Sequence, residues 1–259
     1  MNLDLTGNNA LVCGSTAGIG KAIAKELAEM GATLYLMARN EDKLKATLAT
    51  MDSSKGQKHS YVVADFSDVS SVKSAVESIQ NPIHILINNT GGPPGGPIVD
   101  ANIEEFTSAF SMHLLCNHTL VQGVKRGMID SGYGRIINVI STSVKIPLTG
   151  LGVSNTVRGA VGNWAKTMAN ELGIHGITVN NVLPGATATE RLSSIIENKA
   201  SKTGKSTQEI EEGFKNAVPM KRVAEPHEVA AAAAFLASPA ASYINGINVP
   251  VDGGRTGSL

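Results

Sequence analysis

Cysteine is nearly absent from this chain: its 259 residues include two, Cys13 and Cys116. Two thiols build no disulfide framework, and no Cys/His spacing offers a zinc site. Charge of one sign is lacking as well. Lys+Arg and Asp+Glu both number 22, so there is neither the basic footprint of a nucleic-acid binder nor an acidic, solvating tail. Long hydrophobic runs are missing. The longest helical apolar stretch, residues 229–237, is Ala-rich and far too short to span a bilayer. The opening residues, Met1 to Leu5, lack the charged-then-apolar order of a secretory leader, and the cytoplasm is the expected location. No internal repeat and no low-complexity linker divides the chain. With 42% hydrophobic and 17% charged residues, it reads as one globular domain over residues 1–259, large enough for a substantial core.

What is present is a Gly-rich turn between two apolar segments. Ala10-Leu11-Val12-Cys13 reads as a strand, Gly14-Ser15-Thr16-Ala17-Gly18 as a turn, and the segment from Ile19 as an amphipathic helix. A nucleotide pyrophosphate needs close approach to backbone N–H groups at the positive end of a helix. A Cβ at Gly14, Gly18 or Gly20 would obstruct the turn, the phosphate or the helix–strand packing. Cys13 ends the strand and is expected to be a small buried hydrophobe.

Strand and helix patterns alternate beyond this point. Apolar, β-branched runs occupy residues 33–37, 61–64, 83–87, 135–140, 177–183 and 247–251. Helical patterns lie near 41–51, 69–79, 103–129, 153–172 and 226–237. Near-continuous apolar strands imply a sheet buried on both faces, hence a parallel one. Right-handed crossovers then give an α/β, doubly wound sheet of about seven strands.

In such a sheet the ligand crevice lies at the carboxyl ends of the strands. After the second strand stands Ala38-Arg39, where an acidic residue would hold the ribose 2′-OH of NAD. A guanidinium pairs instead with a 2′-phosphate, with Ser15 as an added hydroxyl donor, so NADP(H) is favoured over NAD(H). After the third strand, Asp65 and the Phe66 N–H can meet the adenine, while Asp68 equally well caps the next helix. After the fourth, Asn88 to Pro97 forms a tight loop where a cofactor crosses the sheet.

Gly14-x-x-x-Gly18-x-Gly20, Asp65, Asn88-Asn89-Thr90-Gly91, residues 180–185 (Asn-Asn-Val-Leu-Pro-Gly) and Val251-Asp252-Gly253-Gly254 resemble, in order, the motifs of the short-chain dehydrogenase/reductase family. The resemblance spans the chain and is strongest to the 3-oxoacyl-(acyl carrier protein) reductase-like branch. It implies a single NAD(P)-binding Rossmann domain. It also implies a homotetramer (or homodimer) built on the helices at 103–129 and 153–172, and a substrate lid at about 187–219. For the cofactor it implies contacts from Gly14, Ser15, Gly18, Ile19, Gly20, Asn89 and Gly91, and from Pro184, Gly185, Thr187 and Thr189.

The family's catalytic tetrad is Asn, Ser, Tyr and Lys. Ser141 matches the Ser, but Ser154 stands at the Tyr position, Arg158 at the Lys position and His113 at the Asn position. A serine hydroxyl is too weak an acid to replace the tyrosine, and Arg158 holds its proton, although it can still bind ribose or charge. Tyr35, Tyr61, Tyr133 and Tyr243 lie in or before strands, away from the crevice. That leaves Ser141 and His113 as the expected catalytic pair, His113 as a general acid, with Ser154 and Arg158 beside them. Lys145, in the loop after Ser141, is a further titratable group there, expected to face solvent. Two readings follow. One is a reductase of a carbonyl substrate, 3-oxoacyl-thioester-like, with an atypical proton donor. The other is a dinucleotide-binding sensor or partner subunit without ordinary reductase chemistry.

Overall fold

Seven short apolar segments pair into one parallel sheet in a computed structural model that describes residues 1–258. The strands are β1 (Asn9–Cys13), β2 (Thr33–Ala38), β3 (Ser60–Val63), β4 (Ile85–Asn88), β5 (Gly134–Val139), β6 (Ile177–Pro184) and β7 (Asn248–Val251), in the order β3-β2-β1-β4-β5-β6-β7. The helices are α1 (Gly18–Glu29), α2 (Glu41–Leu48), α3 (Val69–Glu77), α4 (Ile103–Phe110), α5 (Cys116–Ser131), α6 (Gly152–Leu172), α7 (Glu190–Thr203), α8 (Thr207–Asn216) and α9 (Pro226–Ala237). This is the doubly wound Rossmann arrangement, and the chain reverses its direction of winding between β1 and β4. Among the described residues, no helix is long and apolar enough to cross a membrane.

The period of two along each strand splits the core. On β1, Ala10 and Val12 join Ile23, Leu27 and the alanines of α9 on one face. Leu11 and Cys13 join Val72, Leu120 and Met168 on the other. Each fully buried Leu or Ile contributes about 1.5–3 kcal/mol, so the central strands carry much of the stability. Both cysteines are buried in the second cluster. Burial pushes the Cys13 thiol up and the Cys116 thiol to about 11, which keeps both protonated and inert.

Local signals stop and start the helices as the residues dictate. Asn40, Asp68, Asn102 and Thr189 cap α2, α3, α4 and α7 through their side chains. Asp68 is thus a helix cap. Gly204, at φ +69°, ends α7. The segment 103–129, expected as one helix, is interrupted: residues 111–115 form a π-helical turn between α4 and α5. Such turns widen the backbone spiral and re-aim the side chains on them.

One feature of the sheet has no signature in the sequence. Asn88, Asn138, Asn181 and Asn248 occupy the same register on β4, β5, β6 and β7. Asn88 Nδ2 donates to Asn138 Oδ1, Asn138 Nδ2 to Asn181 Oδ1, and Asn181 Nδ2 to Asn248 Oδ1, each at 2.8 Å. The ladder locks four strands in one register at the carboxyl end of the sheet. Its last acceptor, Asn88 Oδ1, is buried without a partner.

Candidate active site

A cleft of about 700 Å³ opens along the carboxyl edge of the sheet, where the winding reverses. Its floor is the turn after β1. Gly14 and Gly18 have φ of +58° and +51°, which only glycine adopts without strain. A Cβ on Gly20 would lie 2.2 Å from the Gly14 carbonyl oxygen, so this glycine lets α1 approach the turn. Asn89 ties the end of β4 to the turn, donating from Nδ2 to the Cys13 and Gly14 carbonyls at 3.2 and 3.3 Å. Ala17 begins α1 without a side-chain cap. The first N–H groups of the helix are therefore left for an anion at its positive end.

The structure brings most of the expected cofactor residues to this cleft. Gly14, Gly18, Ile19 and Arg39 line one end. Asn89 and Gly91 line the crossing loop, and a Cβ on Gly91 would meet open space. Pro184, Gly185, Thr187 and Thr189 line the far wall.

Several expected contacts fall elsewhere. Ser15 is fully buried, and its hydroxyl donates to the Met37 carbonyl at 3.4 Å. It therefore points away from a 2′-phosphate, and Thr16 is the hydroxyl residue on the cleft wall. Asp65 and Phe66 do not line the cleft. The Asp65 carboxylate accepts from the Ser67 N–H at 2.9 Å, which together with nearby Arg39 holds it below the ordinary aspartate range. Phe66 packs against the core cluster under α3 and α5.

The opposite end of the cleft carries the reactive side chains. Ser141 follows β5 and begins a short 3₁₀ turn. Its Oγ accepts from the Ser143 N–H at 3.1 Å, and the residue lines the cleft. Ser154 and Arg158 stand one turn apart on α6 and both reach the cleft wall. Arg158 is 8% exposed, donates from Nη1 to the Val139 carbonyl at 3.1 Å, and keeps Nε buried with no partner. Burial, then the neighbouring Arg191, lowers its pKa to about 10, so it remains a cation at neutral pH.

His113 does not reach the cleft wall. It sits on the π-helical turn, 2% exposed, with Nδ1 2.8 Å from the Thr90 hydroxyl and Nε2 buried without a partner. Burial, with the nearby Arg158 charge, lowers its pKa to about 3. The ring is neutral at neutral pH and holds no imidazolium proton, which corrects the expectation of an imidazolium acid. The four tyrosines stay away as expected: Tyr133, for instance, donates its hydroxyl to the Ala237 carbonyl, and Tyr243 is fully exposed.

Two cleft cations escaped sequence reasoning. Arg191, in the first turn of α7, donates to the Pro93 carbonyl at 2.8 Å. Arg255 arrives from the C-terminal turn that Asp252 holds by accepting from the Gly254 and Thr256 N–H groups. The cleft thus gathers four arginines (39, 158, 191 and 255) against one carboxylate, Glu190, in a chain whose net charge is +0. This concentrates positive potential where an anionic ligand would enter.

The dinucleotide fits these residues: a glycine cradle, free helix N–H groups and an arginine, Arg39, lining the same end of the cleft. Comparison with known proteins agrees with the fold and the motifs. The model of the enoyl-(acyl carrier protein) reductase family matches residues 14–256. The NADPH-dependent reductase BacG of Bacillus subtilis is 34% identical over 254 residues, covering 96% of this chain and 98% of that protein. The 3-oxoacyl-(acyl carrier protein) reductase FabG of Haemophilus influenzae is 33% identical, covering 96% and 98%. The structure of L-sorbose reductase from Gluconobacter frateurii, complexed with NADPH and L-sorbose, superposes with a TM-score of 0.93 at 29% identity over the whole of both chains. By sequence, fold and the architecture of its cleft, the chain belongs to the short-chain dehydrogenase/reductase family.

Proposed function

We propose that this chain is an NADP(H)-dependent reductase that converts the carbonyl of a small organic molecule into an alcohol without the family's usual Tyr and Lys. The observation that carries this reading is the shared cleft wall of Ser141, Ser154 and Arg158 facing the Gly14–Gly18 cradle. The relatives support the choice of cofactor, since BacG is named for NADPH and the L-sorbose reductase structure contains it. Arg39 in place of an acidic residue supports NADP(H) over NAD(H).

When bound, NADPH supplies the hydride that reaches the carbonyl carbon. Ser141 donates its hydroxyl hydrogen to the carbonyl oxygen. Ser154 adds a second hydroxyl on the same wall. Arg158 stabilises the negative charge that develops on that oxygen, in a site where water is partly excluded and the charge acts strongly. The proton that completes the alcohol comes from solvent through the cleft mouth rather than from His113. The paired helices α7 and α8, which contribute Leu192, Ile195 and Phe214 to the cleft, act as the lid over residues 187–219. Self-association along α4, α5 and α6 is part of the reading, supported by exposed Ile103, Phe110 and Leu115.

The relatives' names divide between a thioester and a sugar. A 3-oxoacyl thioester is therefore one candidate substrate class among carbonyl compounds. The test is calorimetric titration with NADPH and NADH, followed by NADPH oxidation against a panel of 3-oxoacyl thioesters, oxo acids and ketoses. Micromolar NADPH binding with turnover of any member is expected. Tight NADPH binding with no turnover at all would favour a nucleotide-binding sensor or partner subunit.

A further inference from the structure

Arg158 and Arg191 meet at one point of the cleft. A Cβ on Gly92 would lie 3.8 Å from Arg158 Nη2 and 3.6 Å from Arg191 Nη2. The two guanidiniums therefore both approach Gly92 in the loop after β4, one carried by α6 and the other by α7. They lie close enough to repel, and Arg191 is among the causes that lower the Arg158 pKa. Among the described residues, neither forms an ion pair with a carboxylate. Their partners are the Val139 and Pro93 carbonyls, and Arg158 Nε, inside a residue more than nine-tenths buried, has none.

Two cations held together without a counter-ion destabilise each other unless an anion joins them. A planar carboxylate matches the guanidinium fork and accepts from two of them at once. The cofactor's phosphates have their own place, at the turn after β1 and beside Arg39. Leu148, Leu151, Leu192, Ile195 and Phe214 line the same cleft as the arginine pair and give it apolar wall. We propose that Arg158 and Arg191 clamp a carboxylate of the substrate, so that the enzyme acts on carbonyl compounds with an anionic head and an apolar body. This rests on the reductase reading and narrows its substrate class. It also makes Arg191 a specificity-determining residue that draws α7 toward α6 when the anion binds.

The clamp is tested without turnover. Hexanoate and its neutral counterpart hexanamide are titrated calorimetrically into protein saturated with NADP⁺, for the wild type, Arg191→Gln and Arg191→Lys. Hexanoate is expected to bind at least about tenfold more tightly than hexanamide. Arg191→Gln should erase that difference and Arg191→Lys restore part of it, with NADPH affinity unchanged. Equal affinities for the two probes, or no hexanoate binding, overturn the proposal. So does a tenfold loss of NADPH affinity in Arg191→Gln with hexanoate binding intact, which would assign the arginine pair to a cofactor phosphate. Hexanoate binding in a protein that reduces no carbonyl compound would instead overturn the reductase reading and leave the clamp standing.

Discussion

The Thr90 hydroxyl stands 2.8 Å from Nδ1 of His113, and this contact ties the loop after β4 to the π-helical turn between α4 and α5. The loop is the one that crosses the cofactor cleft, and the turn is the one place where the long helix departs from α geometry. His113 thus joins the cleft loop to the helical turn, and its neutral ring carries no imidazolium charge at neutral pH.

Its depressed pKa makes a stability prediction. An ordinary histidine titrates near 6.5, and His113 titrates at about 3 in the fold. Between those values the unfolded chain binds a proton that the folded chain does not, so the stabilising effect is full above about 6.5 and lost as pH falls toward 3. From pH 7 to pH 5 this one group removes about 2 kcal/mol. Urea unfolding at both values should show a correspondingly smaller loss in His113→Gln. The kcat profile of the wild type should carry no histidine inflection between pH 5 and 8, and an inflection that vanishes in His113→Gln would restore the acid role.

On the proposed mechanism, Ser141→Ala removes the hydroxyl that donates to the carbonyl oxygen, with Ser154 left on the same wall. A lost donor of this kind lowers kcat by roughly 10²–10³. NADPH affinity should stay within about twofold, because Ser141 lies at the other end of the cleft from Arg39. The Ser143 N–H also loses its acceptor, at a stability cost of about 1 kcal/mol. Stopped-flow hydride transfer together with cofactor titration separates the effects, and an unchanged kcat would remove Ser141 from the reaction.

Arg39→Ala should weaken NADPH binding by about 10- to 100-fold, the scale of a lost charge-assisted hydrogen bond. NADH binding should change little. Equal losses for both cofactors would mean that Arg39 does not read the 2′-phosphate.

Asn138→Leu interrupts the asparagine ladder. It leaves the Asn88 donor and the Asn181 acceptor side without partners inside the sheet. Each orphaned buried group costs about 1–3 kcal/mol, so a destabilisation of about 2–4 kcal/mol is expected in chemical denaturation. A change below about 1 kcal/mol would show that the ladder sets register without holding the fold.

The strand segments are legible as apolar, β-branched runs, and the central ones, β1, β2, β4, β5 and β6, are near-continuous because the sheet is buried there on both faces. The glycine cradle was legible too, since Gly14, Gly18 and Gly20 are required locally by backbone angle or close approach. The π-helical turn was not, because residues 111–115 keep a helical apolar pattern and differ only in how the backbone is wound. Ser15, expected as a hydroxyl donor to the cofactor, is buried with its hydroxyl on the Met37 carbonyl, a contact 22 positions away that local spacing does not reveal.

Local patterns and spacing fix the class of fold, the order of strands along the chain, the glycine turn and the presence of Ser141, Ser154 and Arg158. Packing in three dimensions buries His113 off the cleft wall, sets Asn88, Asn138, Asn181 and Asn248 in one register, and brings Arg191 and Arg158 together at Gly92. These relations join residues dozens of positions apart. They exist because sheet register and helix packing bring such residues within a few ångströms, and burial there sets the charge each group can carry.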